Sequence, residues 1–227
     1  MIIAIDGPAS SGKGTAARVL ARQLKFRHID SGALYRVVAF YVFNMEMDPA
    51  NTAAVVKILP KIEVEVKPGS NRDMIISRGR DITDEIRYHL ISDVSSQISK
   101  IPQVRRWVNN TVRKFARQSS LVVEGRDIAT EVFPDADYKF YLDASLEERA
   151  RRRHLELKQK GSKITLAKVK KDLAVRDERD KNKPQGKLQL APDAIYIDST
   201  NMTPEKVVAF MASKIKAKSN QAKPKKI

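Results

Sequence analysis

Cysteine is absent from this 227-residue chain, which excludes a disulfide framework and any thiolate metal site. The three histidines, His28, His89 and His154, lie far apart in sequence, so a local cluster of metal ligands is not expected either. No apolar run approaches the roughly 18 residues of a membrane span, and the first residues lack the basic segment and apolar stretch of a secretory leader. These absences predict a soluble, cytoplasmic protein with no membrane partner. Acidic residues are scarce beside basic ones, 27 against 43, which leaves a formal net charge of +16.

A charge of that sign suits a nucleic-acid surface, because basic groups release counterions from a phosphate backbone. Two other sources account for much of it. Six of the lysines fall in the C-terminal "SKIKAKSNQAKPKKI", which has no acid and little to bury. Its last residues, 219–227, read as a flexible lysine-rich tail after a final helix. A site for small anionic substrates also gathers arginines. Nucleic acid is therefore not expected as the main ligand.

What the chain does have is alternation. Short apolar runs begin at Ile2 ("IIAI"), Phe26 ("FRHI"), Leu121 ("LVVE"), Tyr138 ("YKFYLD") and Ala194 ("AIYID"). Helical patterns over 13–25, 31–44, 145–160 and 204–217 follow four of them. The pattern predicts an α/β fold, a five-stranded parallel sheet flanked by helices. Between 62 and 82 the pattern breaks into "IEVEV", "DMIIS" and "RDIT" around the turn residues "PGSN", which predicts a small antiparallel insertion. Helices over 84–99 and 102–117 bring the chain back. Residues 149–183 carry "RARRR", "KQKG" and "VRDERDKNK", a charged helix, turn and helix. The division expected is a core of 1–61, 99–148 and 184–218, an inserted arm of 62–98, a lid of 149–183 and the tail.

The first strand runs into "GPASSGKGT", residues 7–15, and that turn runs into a helix. Glycine admits backbone conformations that bring N–H groups inward, and the helix points its positive end at the same place. Lys13 adds a mobile charge. The spacing fits the phosphate-binding loop G-x-x-x-x-G-K-[ST] except that Gly14 occupies the hydroxyl position and Thr15 comes one residue late. Donor-phosphate contacts are expected from Gly7, Pro8, Ala9, Ser10, Ser11, Gly12, Lys13, Gly14 and Thr15. In open α/β sheets ligands collect at the carboxyl ends of strands. Asp30, Arg36, Arg126 and Asp127 lie just past the second and third strands, where cations meet phosphate and carboxylates meet amines and hydroxyls.

"DSGALYR" at 30–36, "EGRDIATEVFPDAD" at 124–137, "LDASLEERARRR" at 142–153 and "VRDERD" at 175–180 join the loop, in order, over nearly the whole chain. Together they resemble the bacterial cytidylate kinases, of the nucleoside monophosphate kinase family with a P-loop kinase fold. The resemblance implies phosphoryl transfer from ATP, with Mg2+, to CMP and dCMP in pyrimidine nucleotide metabolism. The sequence does not give the oligomeric state, and a monomer is the default expectation. The resemblance also implies that Ser31, Ser96, Arg105 and Asp127 hold the cytosine ring with Asp30 nearby, and that Arg36 and Arg126 hold the acceptor phosphate. Arg176 and Asp180 match residues on the pentose, and Arg149 and Arg153 match lid arginines near ATP and the moving phosphoryl group. Catalysis falls to Lys13, Arg36, Arg126 and Arg153. The family usually has an arginine where this chain has Lys183, which keeps the charge at the CMP site without the planar fork. A kinase of the same fold acting on UMP, AMP or shikimate, and a nucleic-acid-stimulated ATPase, are the alternatives.

Overall fold

The inner apolar runs become strands because their β-branched residues are buried on both faces, as parallel strands between helix layers are. The computed structural model describes residues 1–69, 72–159 and 161–221. β1 (Ile2–Asp6) is central in a five-stranded parallel sheet of order β2-β6-β1-β7-β8, with β2 Arg27–Asp30, β6 Leu121–Gly125, β7 Tyr138–Asp143 and β8 Ile195–Asp198. The register sets Asp6 opposite Gly125 on one side and Tyr141 on the other, so the loops leaving β1, β6 and β7 open at one end.

Two helix layers close the sheet. α1 (Lys13–Leu24) and α8 (Pro204–Gln221) cover one face, packing Ala16, Ala17 and Leu20 with Val207, Val208 and Met211 against Ile3, Ile5 and Phe140. α8 continues past the expected end at 217, and the side chains of the tail, like residues 222–227 altogether, lie outside the described residues. α2 (Ser31–Asn44) and α5 (Pro102–Ala116) cover the other face over Ala4, Ile29, Leu121 and Val123. Among the described residues no helix is long and apolar enough to cross a membrane.

The insertion between α2 and α5 differs in two places from the pattern expected. A helix, α3 (Thr52–Ile58), precedes it, capped where Asn51 Oδ1 accepts from Ala54 N–H at 3.1 Å. The single helix expected over 84–99 is instead a 3-10 turn, Glu85–Arg87, an extended Tyr88, and α4 (His89–Ile98). The break lets fully buried Ile86 enter the core before α4 sets off in a new direction. Between them β3 (Glu65–Lys67), β4 (Met74–Ser77) and β5 (Arg80–Asp81) form the antiparallel sheet. The β4–β5 hairpin turns on Arg78 and Gly79, both at positive φ (49° and 75°), the two-residue turn whose twist matches its strands. Of the "PGSN" turn, Ser70 and Asn71 fall outside the described residues.

α6 (Leu146–Gln159) and α7 (Leu166–Lys181) form the charged hairpin, with Thr165 capping α7. Its apolar side is small: Ala150, Val169 and Leu173 gather on Ala9 of the loop after β1.

The insertion is fastened to the β2 edge through polar bonds. Arg27 donates to the Val66 carbonyl at 2.6 Å, and the buried His28 imidazole pairs through Nδ1 with Asp73 and through Nε2, at 3.5 Å, with Glu124. Burial opposes a charged imidazole, but those two carboxylates overcome it and push His28 up to about 9 from 6.5. A folded-state pKa above the unfolded one contributes stability that is present below pH 6.5 and is lost as pH rises through about 9, by about 3 kcal/mol at most. His28→Gln is therefore expected to flatten the fall in denaturant midpoint across that window. The quantity to compare is the difference between parent and variant, in which other titrating groups cancel. Parallel curves would contradict the assignment.

Candidate active site

The turn after β1 is shaped by what surrounds it. Gly7 has φ 152°, and a Cβ there would overlap the Leu142 carbonyl of β7, so only glycine fits. Ser10 (φ 62°) and Gly12 (φ 91°) carry the chain round into α1, whose first turn holds no acid to compete with an anion. Lys13 folds back over the turn and donates from Nζ to the Pro8 carbonyl at 2.9 Å. Burial in the cleft, then repulsion from Arg126, lowers its pKa from 10.5 to about 7, while Glu124 pulls the other way. Glu124 also explains Gly14: a Cβ at that position would lie 2.8 Å from Glu124 Oε1. Ser11 Oγ is buried without a hydrogen-bond partner.

Beside the turn, the ends of β2 and β6 supply a second set of groups. Asp30 caps α2, accepting from Ala33 N–H at 3.1 Å, and holds Arg36 at 2.8 Å. Burial works against ionising Asp30, but Arg36 and Arg87 dominate and hold its carboxyl down at about 2. Ser31 Oγ donates to the Glu124 carbonyl at 2.8 Å, tying α2 to β6. Buried Asp6, at the end of β1, accepts from Ile128 N–H at 2.9 Å and Ala129 N–H at 2.8 Å, which pins the turn presenting Arg126 and Asp127. Burial lifts the Asp6 pKa to about 6 despite those two bonds. Arg126 Nε donates to Asp180 at 2.8 Å, and Lys183 pairs with the other oxygen of Asp180 at 2.9 Å. Asp127 is paired with buried Arg105; burial raises its pKa, and Arg105 opposes the rise.

These groups line one cavity of about 880 Å3, with eleven cationic side chains against six carboxylates. It brings together Lys13, Asp30, Ser31, Arg36, Ser96, Arg105, Arg126, Asp127, Arg153, Arg176, Asp180 and Lys183, with the loop from Ala9 to Thr15. Loss of hydration in the cleft, then the charge of Arg126, pulls the Arg176 guanidinium down to about 10.

Three expected ATP contacts do not line the cavity. Gly7 and Pro8 shape the turn from behind. Arg149 is buried, donating to the Ala144 carbonyl at 2.9 Å, the Ala9 carbonyl at 3.3 Å and Asp177 at 2.7 Å, so it braces the phosphate loop against the α6–α7 hairpin. Arg152, one turn along, instead reaches the loop, donating to the Ser11 carbonyl at 3.3 Å and the Ser199 carbonyl at 2.6 Å.

Sequence reasoning passed over several residues of the site. Asp6 has a signal, an acid closing an apolar strand before a glycine turn. Arg18 and Arg87 line the cavity without one, Arg18 on α1 and Arg87 on the short turn before α4. Arg87 Nε and Arg36 Nε are buried with no hydrogen-bond partner. Glu131 has a faint signal, four residues beyond Asp127.

A phosphate loop beside a cation-rich, carboxylate-braced cavity is the equipment of a nucleotide kinase, and the family model described as cytidylate kinase matches residues 3–217. The chain belongs to the cytidylate kinase family. It is 41% identical to the cytidylate kinase of Geobacter sulfurreducens over 94% of this chain and 91% of that one. With the cytidylate kinase of Carboxydothermus hydrogenoformans the identity is 39%, over 92% and 94% of the two chains. Among solved structures, an uncharacterized protein from Eubacterium ventriosum aligns over 95% of this chain and 98% of its own, with a TM-score of 0.52 and 13% identity, a likeness of fold alone. Cytidylate kinases are phosphotransferases, and this family member is an enzyme of that class.

A phosphate arriving beside Lys13 raises its pKa, so between about pH 7 and 9 binding of ATP should take up a fraction of a proton, approaching about one per nucleotide at the alkaline end. Calorimetry in buffers of different ionisation enthalpy measures that uptake. Heats independent of the buffer, or an equal uptake by Lys13→Ala, would remove Lys13 from the phosphate site.

Proposed function

We infer that the protein transfers the γ-phosphoryl group of Mg-ATP to CMP and dCMP, giving the diphosphates and ADP. The observation that carries this reading is the buried Arg105–Asp127 pair within the same cavity as the phosphate loop of a cytidylate kinase family member. A carboxylate accepts from the exocyclic amine of cytosine and faces a lone pair on uracil, while the guanidinium donates to ring acceptors. Ser31 and Ser96 complete the base site with Asp30 behind them. Arg36 and Arg126 receive the acceptor phosphate, and Arg176, Asp180 and Lys183 the sugar side.

The chemistry is in-line phosphoryl transfer, which depends on positioning and charge more than on a strong base. The loop amides and Lys13 hold the donor phosphates. Arg36, Arg126 and Arg153 draw off charge as the phosphoryl group passes, in the manner of preorganised dipoles and cations elsewhere. Magnesium, when bound with the nucleotide, would neutralise part of the phosphate charge. Among the described residues no cluster of three acidic or imidazole groups is arranged to hold a metal. The Thr15 hydroxyl and Glu124 carboxylate beside the loop are the hard oxygen donors that suit it. Arg149 acts through the loop rather than on ATP. Seating of the α6–α7 hairpin over both nucleotides excludes water and so suppresses hydrolysis.

ADP release measured with CMP, dCMP, UMP, AMP and shikimate tests the acceptor. The parent should favour CMP and dCMP. Asp127→Asn keeps the shape and offers either a donor or an acceptor, so CMP turnover should fall and the CMP-to-UMP ratio of kcat/KM should narrow by about tenfold or more. A folded variant with the parent's ratio would show that Asp127 does not read the base.

A further inference from the structure

Glu131 is a carboxylate that the roles above leave unused, and its position is specific. A single π turn, Ile128–Val132, begins on the Asp127 carbonyl, which accepts from Val132 N–H at 3.2 Å and also from Glu131 N–H at 2.9 Å. That turn swings the Glu131 carboxylate, four residues on, to the guanidinium already paired with Asp127. Its two oxygens then do different things. Oε2 accepts from Arg105 Nη2 at 3.1 Å, and Oε1 accepts from the backbone N–H of Gly186 at 2.6 Å. Gly186, at φ 66°, lies so close over the Arg105 guanidinium that a Cβ would overlap it.

Gly186 belongs to the segment that leaves α7. Upstream, that segment is held where Lys183 pairs with Asp180, and downstream where Leu188 N–H donates to the Asp180 carbonyl at 2.8 Å. Arg105 is thus enclosed from three directions: Asp127 on the core, Glu131 on the π turn and Gly186 on the chain leaving the lid. When a base amine draws on Asp127, Arg105 loses part of its counterion, and a buried guanidinium short of a partner is costly. Glu131 supplies the second partner in place.

We propose that Glu131 is a positioning residue for acceptor recognition, holding Arg105 in the plane that meets the base and fastening the segment after the lid helix onto it. The inference rests on the cytidylate reading of the cavity. Seating of residues 183–188 and ordering of the base site are then one event, and the ATP side of the cavity is not part of it.

The test is steady-state kinetics with CMP varied at saturating ATP and ATP varied at saturating CMP, for the parent, Glu131→Ala, Glu131→Gln and Gly186→Ala. With Glu131→Ala the KM for CMP should rise by about tenfold while that for ATP stays within about twofold. Glu131→Gln, which keeps one carbonyl acceptor, should give a smaller rise. Gly186→Ala, which sets a methyl against the guanidinium, should reproduce the effect on CMP alone. Unchanged KM for CMP in folded Glu131→Ala, or an equal rise in both KM values, overturns the proposal. Should Glu131→Ala fail to fold, the same split in Glu131→Gln and Gly186→Ala decides it. A parent that releases no ADP with CMP overturns the cytidylate reading and this inference together. An active parent with indifferent variants overturns this inference alone.

Discussion

Like charges crowded into one cavity are the constraint on which the rest of this structure depends. Two cations about 4 Å apart repel by about 4 kcal/mol near a protein surface, so a site built to grip phosphates is costly before they arrive. The fold manages that by giving several of those cations a carboxylate partner. Asp30 takes Arg36, Asp180 takes Arg126 and Lys183, Glu148 takes Arg151 and Arg152, and Glu156 takes Arg153. The carboxylates orient the guanidinium planes as well as diluting the charge. What remains unbalanced falls on Lys13, whose lowered pKa records burial first and the neighbouring arginine second.

Both appendages report to the same few atoms. The inserted arm reaches the site through His28, which sits between Asp73 on the arm and Glu124 beside Gly14. The α6–α7 hairpin reaches it through Arg149, which holds Asp177 and the Ala9 carbonyl, and through the small apolar cluster that includes Ala9 itself. The phosphate loop is therefore braced from two sides by elements distant in sequence.

Much of this was legible in the sequence, for a physical reason. Buried parallel strands and amphipathic helices carry periodic patterns, and the phosphate loop, Asp30, Arg126 and Asp127 follow directly from where strands end. The helix Thr52–Ile58 and the break at Tyr88 escaped because their shape answers to burial of Val55, Ile58 and Ile86 in the core rather than to local propensity. Glu131 and Gly186 were hidden for a related reason. Their partner Arg105 is contributed by another helix, and nothing within a short window of sequence announces a bond that spans 55 residues, as Gly186 to Glu131 does. Arg149 illustrates the converse. An arginine among arginines on a lid helix looks like a nucleotide contact, and only packing reveals it as a brace.

The strand order has a further consequence. With β1 in the centre, β6 and β2 to one side and β7 and β8 to the other, the sheet acts as a ruler laid under the reaction. Neighbouring strands are about 4.8 Å apart, so its two edges lie roughly 19 Å from each other with the phosphate loop at the midpoint. Asp30 and Arg126 stand at the ends of β2 and β6, and the α6–α7 hairpin follows β7. An insertion or deletion within any one strand would leave that crosswise spacing intact while tilting the loops that use it.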